Sequence, residues 1–327
     1  MRTLSRAKKL LAGAVALAGL CQFAHAAAPL KDITFLLPAP AGLPAFAPYT
    51  LADSKGYYAK EGLHVRWVTV GGGVDAGKEL AAGNGDLGDA LGDTPIILRG
   101  NHVPVKGVAL IGGHPLHQLI TRDDRHINSP ADLKGKTLSV LSYQDTSYFV
   151  ALGMLGSAHL DKSAVAIHAG GPAAWQEVAE GKSDGIVGIP EWGANIEAAG
   201  VKVTYRPTDD FTPGMGQAII ASDKEIATDP DTVRKFVHAT LHAMTDIEGD
   251  PQQAAKDFIA AVPAYAGKQA YITKVLTYYA KNVFPTKLTP GEFDPAVVGK
   301  VQDAYLQEKV IHSTQPVNTL FTNEFVK

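Results

Sequence analysis

The sequence predicts an α/β protein of two lobes, each a mostly parallel sheet flanked by helices, followed by a helical C-terminal segment. Three observations carry this. Apolar strand-like runs alternate with helical patterns over the first two thirds of the chain, the order that builds parallel sheets. One local spelling occurs twice: Gly83-x-x-Asp86 follows a helix and precedes a strand, and Gly181-Lys182-Ser183-Asp184 does the same ahead of Gly185–Ile189. Upstream of each copy lies a β-rich run, a glycine step and a helix: Val65–Val70, Gly71-Gly72-Gly73 and Val74–Ala82, then Val165–His168, Gly170-Gly171-Pro172 and Ala173–Glu180. Two such units suggest two lobes with a cleft between them. From Asp229 onward, helical patterns dominate.

In chain order, Ile33–Leu37 is a short apolar strand, broken by Pro38-Ala39-Pro40-Ala41-Gly42. A helix is expected from about Pro44 to Lys60, with Gly62 as its stop, and Leu63–Val70 alternates as a strand does. The stretch Leu80–Leu98 organises the rest. A helix ends, the chain turns at Gly83-Asn84-Gly85, a short buried strand follows, and a break at Gly92-Asp93 opens onto a helix at Thr94-Pro95, which Thr94 can cap. Val105–Leu110 is a strand, and Leu116–Thr121 an extended run. A helical turn at Ser129–Gly135 precedes the strand Thr137–Leu141. The polar step Ser142–Ser147 then leads into a helix reaching about Ala158. Gly216–Ala221 is extended again, Asp229-Pro230 starts a helix, and further helices begin near Pro251, Gly267 and Asp294.

At 327 residues, 46% hydrophobic and 19% charged, the chain can form about two domains and bury a sizeable core. Residues 1–26 read as a cleaved secretory signal peptide: Arg2, Arg6, Lys8 and Lys9 precede the apolar run Leu10–Leu20, and Ala24-His25-Ala26 is the cleavage site. Without it, 26 basic residues face 33 acidic ones. That balance excludes nucleic acid and anionic membrane surfaces as natural partners. The one cysteine, Cys21, lies in the leader, where the bulky Leu20 before it suits lipidation poorly. An exported chain of this kind has no thiol nucleophile, disulfide or zinc–sulfur site. No other run is long enough to span a bilayer, so a soluble exported protein is expected.

Three motif matches fail on context. Gly83–Gly88 fits G-x-G-x-x-G, and Gly181–Gly185 fits G-x-S-x-G. Dinucleotide sites and nucleophile elbows both need a strand entering and a helix leaving, and here the polarity is reversed. His238 and His242 are four apart on one helix, and His114 and His117 three apart, yet neither pair has a third ligand or a neighbouring glutamate. No metal or cofactor is expected.

Taken in order, Pro44–Val70 (ending LADSKGYYAKEGLHVRWVTV), Leu80–Leu98, Ser129–Val140 (SPADLKGKTLSV), Gly181–Gly188 and Ser222–Met244 resemble the nitrate/sulfonate/taurine/thiamine-precursor group of ABC-transporter substrate-binding proteins. The resemblance implies the type II periplasmic-binding-protein fold, with a solute trapped by closure of two lobes. It places the two crossovers at Leu119–Thr121 and Ile219–Ala221. Lobe one is then residues 27–119 with 222–327, and lobe two residues 120–221. It also implies a periplasmic monomer that delivers a small-molecule solute to an inner-membrane ABC permease, binds no nucleic acid and catalyses nothing.

The candidate solute contacts follow. Gly72, Gly73 and Gly171 lie in the glycine steps, and His114 in the turn after Val105–Leu110. Asp93 either caps the helix beginning Thr94-Pro95 or points into the cleft with Thr94. Tyr143, Thr146 and Ser147 precede a helix whose free N–H groups suit a sulfonate or carboxylate, or else they simply cap it. Glu191 and Trp192 follow a strand end, with Trp192 a lid or hinge packing, and Phe46 belongs to the cleft or to the core. The loops assigned to the cleft carry Asp93, Asp145 and Glu191 but no Lys or Arg. An aliphatic sulfonate or taurine-like solute is the first expectation. An amine- or aminopyrimidine-bearing or aromatic-acid solute is the alternative, and a periplasmic sensor docked on a membrane kinase a further one. Enzymes that make precursors on this fold are cytoplasmic, and the pyrimidine-forming type carries a cysteine cluster, which this chain lacks.

Overall fold

The computed structural model describes residues 29–327, so the expected leader, with Cys21 in it, lies outside the described residues. The chain opens with β1 (Lys31–Leu37), a 3-10 turn at Pro44–Phe46, α1 (Ala47–Ser54), α2 (Tyr57–Lys60) and β2 (Leu63–Thr69). Next come α3 (Gly73–Ala82), β3 (Leu87–Leu91), α4 (Thr94–Arg99) and β4 (Val105–Ile111). The expected continuous helix Pro44–Lys60 is three pieces, broken where Gly56 takes a left-handed conformation at φ 71°.

The middle of the chain holds β5 (Gln118–Arg122), β6 (Thr137–Val140), α5 (Thr146–Ser157), β7 (Ala166–Ala169), α6 (Ala174–Ala179), β8 (Gly185–Gly188), α7 (Pro190–Ala198) and β9 (Val203–Pro207). The last part is β10 (Gln217–Ser222) and the helices α8 (Asp223–Thr228), α9 (Pro230–Gly249), α10 (Pro251–Ala261), α11 (Gln269–Asn282) and α12 (Pro295–Gln307). Asp229, Asp250 and Asp294 each precede a proline and accept from backbone N–H groups of the first turn, so the three Asp-Pro pairs open α9, α10 and α12 as their chemistry requires.

Two five-stranded sheets result. Sheet one has the order β2-β1-β3-β10-β4 and sheet two the order β7-β6-β8-β5-β9. In each, one strand runs against the other four: β10 in sheet one and β5 in sheet two. Both are the first strands laid down after the chain has changed lobes. The crossing backbone is therefore 112–117 and 208–216. The residues expected to cross, Leu119–Thr121 and Ile219–Ala221, lie inside β5 and β10. The reason is burial: these are apolar runs with no exposure to speak of, and a sheet interior satisfies their backbone better than an open linker.

The repeated Gly-x-x-Asp spelling has one physical role in both lobes. Asp86 Oδ2 accepts from the Thr34 N–H at 2.6 Å while its own N–H donates to the Thr34 carbonyl at 3.0 Å. Asp184 does the same to Thr137, at 2.8 and 2.9 Å. Each aspartate clips the strand it begins, β3 or β8, onto its parallel neighbour, β1 or β6. In lobe one, α9 covers the sheet with Phe236, whose ring stacks on Phe35 and on Tyr58, both at 4.7 Å between centroids. The geometry brings the C-terminal ends of β1, β3, β6 and β8 to face one another across a cleft.

Candidate functional site

A small cavity of about 50 Å³ lies between the sheets. Lobe one contributes Pro38, Ala39, Leu43, Ala45 and Phe46 after β1, and Gly73, Asp89, Ala90 and Leu91. Lobe two contributes Leu141, Asp145, Thr146, Ile189 and Trp192, the first crossing adds Leu116 and His117, and the start of β10 adds Gln217. The wall is mostly apolar, with aromatic rings from both lobes and five polar side chains. Among the described residues, neither Lys nor Arg lines it.

Asp89 is the centre of the polar set. It sits in the fully buried strand β3, where its Oδ1 accepts from the Tyr49 hydroxyl at 2.6 Å. Burial pushes its carboxyl up to about 8 against the lowering effect of the Tyr49 bond, and the nearby Asp145 charge adds to the rise. His117 is buried beside it. Loss of solvent pulls its imidazole below the ordinary value, and Nδ1 has no protein partner among the described residues. The Gln217 side-chain N–H2 is buried beside the Asp89 carboxyl and opposes its rise. Buried polar atoms are nearly always paired, so His117 Nδ1 marks a position that a bound molecule or water would satisfy.

Asp145 decides the electrostatics. Its Oδ1 accepts from the Ser147 N–H at 2.9 Å, capping α5, and its Oδ2 accepts from the Gly73 N–H at 3.2 Å at the head of α3 in the other lobe. One carboxylate therefore occupies the N-termini of both α3 and α5. Lobe contact here is intimate: Val74 and Asp75 N–H groups meet the Gln144 carbonyl at 3.1 and 3.3 Å, and the Thr94 and Thr146 hydroxyls are 2.8 Å apart.

Of the expected contacts, Phe46, Gly73, Thr146 and Trp192 line the cavity. Gly72 backs Asp145 at the lobe seam, and Thr94 spends its hydroxyl on Thr146 instead of capping α4. Several expectations are corrected. Asp93 neither caps α4 nor enters the cleft; it is buried, pushed up to about 6 by burial, and accepts from the Tyr305 hydroxyl, which opposes that rise. Ser147 is buried behind the cap, accepting from the Leu141 N–H. Tyr143 is half exposed and donates to the Ile167 carbonyl. His114 is exposed near Asp209, and Gly171 lies outside the lining. Glu191 is buried, with both oxygens held by lobe one. Asp89, His117 and Gln217 were not expected. The signal for Asp89 was a carboxylate inside a short run otherwise fit for a two-sided buried strand; for the other two, a polar residue in or next to a lobe crossing.

Two lobes of this topology closing on one cavity define the periplasmic-binding-protein fold. The chain belongs to the NMT1/THI5-like family, whose model matches residues 43–254. It is 23% identical over 288 residues to the riboflavin-binding protein RibY of Chloroflexus aurantiacus, covering 86% of this chain and 82% of that protein. It is 27% identical over 240 residues to the 4-amino-5-hydroxymethyl-2-methylpyrimidine phosphate synthase of Schizosaccharomyces pombe, covering 66% of each. Among solved structures, the alkanesulfonate-binding protein SsuA of Xanthomonas axonopodis pv. citri bound to MOPS superposes with a TM-score of 0.67 at 17% identity, over 91% of this chain and all of that one.

Proposed function

We propose that this protein is the solute-capturing component of an ABC importer, exported and working outside the inner membrane, and that its solute is a small flat nitrogen heterocycle bearing hydrogen-bond donors. The observation that carries the solute class is Asp145: its carboxylate fills the starts of both α3 and α5, so an anion would meet a negative charge where it needs free N–H groups. The same argument turns the first expectation, a sulfonate, into the second choice. The Asp89 carboxyl, whose Oδ1 already holds the Tyr49 hydroxyl, can use its remaining capacity on an amino group or a ring nitrogen of such a solute. Phe46 and Trp192 supply aromatic surface from opposite lobes. Lobe one is then proposed to run to the crossing at 112–117 and resume at β10, with lobe two between the crossings.

The cavity carries no serine–histidine or cysteine–histidine pair, and the cysteine-bearing synthase chemistry has no counterpart in residues 29–327. Capture by closure therefore accounts for the site better than a reaction does. The test is a thermal-shift panel of 4-amino-5-hydroxymethyl-2-methylpyrimidine, riboflavin, taurine and MOPS. A ligand a hundredfold above its dissociation constant stabilises by roughly 2.7 kcal/mol, a clear shift. A shift with an amino heterocycle and none with the sulfonates is expected. A sulfonate shift larger than any heterocycle's overturns the solute class, and silence across the panel and a wider solute library overturns the capture role.

A further inference from the structure

A second set of contacts holds the lobes together near Trp192, at the edge of the cavity. Glu191 opens α7 of lobe two, and each oxygen of its carboxylate is held by lobe one: Oε1 accepts from the Ala45 N–H at 2.8 Å and Oε2 from the Tyr279 hydroxyl at 2.7 Å. From the same helix as Tyr279, the Tyr271 hydroxyl reaches the Glu191 carbonyl at 3.3 Å and the Asn195 side chain at 3.1 Å. Lys274 meets Glu197 at 3.4 Å. Glu191 is 1% exposed, so two donors and one acid meet in a dry seam, where such bonds are stronger than in water.

We propose that Glu191 is a positioning residue, a latch that holds the lobes closed on its own account, whether or not a solute is present. Its sequence neighbour Trp192 and Ala45's neighbour Phe46 both line the cavity, so this bond sets the separation of the two aromatic walls. The chemistry requires a carboxylate. Two acceptor oxygens face two donors, whereas glutamine offers one acceptor and turns an N–H2 toward a donor. When the lobes part, water can satisfy Ala45 N–H and the Tyr279 hydroxyl. The loss on substitution therefore falls on the closed form and leaves the fold itself in place. The inference takes its functional meaning from the solute-capture reading, but its test uses no solute, so the two can fail separately.

The chain carries a single cysteine, Cys21, so in a Cys21→Ser background spin labels at Lys182→Cys in lobe two and Lys256→Cys in lobe one report the lobe separation alone. Protein dialysed free of carried-over solute is measured by pulsed electron resonance. The parent is expected to show a population at the closed distance. Glu191→Gln and Glu191→Ala should lower the closed-to-open ratio at least tenfold with a melting temperature within a few degrees of the parent. Tyr279→Phe, which keeps the ring and is the safeguard against a misfolded Glu191 variant, should lower the ratio less and add little in the Glu191→Ala background. An unchanged distance distribution in Glu191→Gln and in Tyr279→Phe overturns the proposal, as does a parent with no closed population.

Discussion

The two rims of the cleft solve the same problem with different materials. On each, an acidic residue at the start of a lobe-two helix, Asp145 before α5 and Glu191 in α7, accepts a backbone N–H at the head of a lobe-one helical turn, Gly73 or Ala45. On the Asp145 rim the partner is bare backbone, and the approach is so close that a Cβ on Gly72 would lie 2.6 Å from the Asp145 Cα. On the Glu191 rim the partner is furnished by side chains, with Tyr279 and Tyr271 of α11 reaching across. On the first rim the acid itself, Asp145, lines the cavity; on the second, Ala45 and Trp192 line it and Glu191 lies behind them. The contrast separates an acid that shapes the solute's surroundings directly from one that acts through its neighbours.

The largest effect should come from Gly72→Ala. Its methyl cannot fit against Asp145, and φ 147° is a conformation other residues rarely adopt. The lobes should stay folded but apart. Small-angle scattering is expected to show a larger radius of gyration, and solute affinity should drop by a factor on the order of a hundred. If the variant closes normally, the backbone rim is not what limits approach. Glu191→Ala follows, with the separation described above but weaker steric consequence, because it removes atoms instead of adding them. Comparing the two variants tells which rim carries more of the closure.

Asp89→Asn comes next and is read by pH. Asp89's folded value near 8 lies well above the ordinary carboxylate value of 3.8, so the folded state holds a proton that the unfolded chain releases. Stability should therefore fall as pH rises from about 4 to about 8 and level off above that. Melting curves of the parent from pH 5 to pH 9 should show that decline, and Asp89→Asn, which cannot ionise, should flatten it. A parent profile no steeper than the variant's would contradict the buried protonated state. Asp89→Asn should also weaken an amino-heterocycle ligand by roughly ten- to a hundredfold, the cost of leaving a buried polar group of the ligand without its partner. The smallest effect is Thr94→Val. It deletes one hydroxyl pair at the seam and should reduce closure by about 1 kcal/mol, some fivefold in affinity by titration calorimetry.

The fold was legible in the sequence because its signals are local. Gly83-x-x-Asp86 and Gly181-x-x-Asp184 announce a turn and a strand start in either lobe. The three Asp-Pro pairs announce helices whatever packs on them. The edge strand β9 gave no such signal, since VTYRP is only half buried and ends in proline. The candidate site was legible where residue type or local context sufficed: Phe46 and Trp192, large aromatics near strand ends, and Gly73 and Thr146, at helix starts, line the cavity. Glu191 and Asp93 look from sequence like free carboxylates at loop ends. Their true partners, Tyr279 and Tyr305, lie 88 and 212 residues away, and nothing local reveals them. Asp89 hid for the opposite reason, inside a strand whose neighbours are all apolar or small.

The position of β10 has a consequence for the order in which the molecule can be assembled. Sheet two is built wholly from Gln118–Pro207, so every strand it needs is at hand once that span is free. Sheet one cannot be completed then. β3 and β4 are not neighbours but flank β10, whose pairing closes contacts between segments roughly 105 to 130 residues apart along the chain. Its covering helix α9 arrives later still. For a chain threaded outward from its N-terminus, the first strands made are among the last to be sealed, and the half that emerges in the middle matures first.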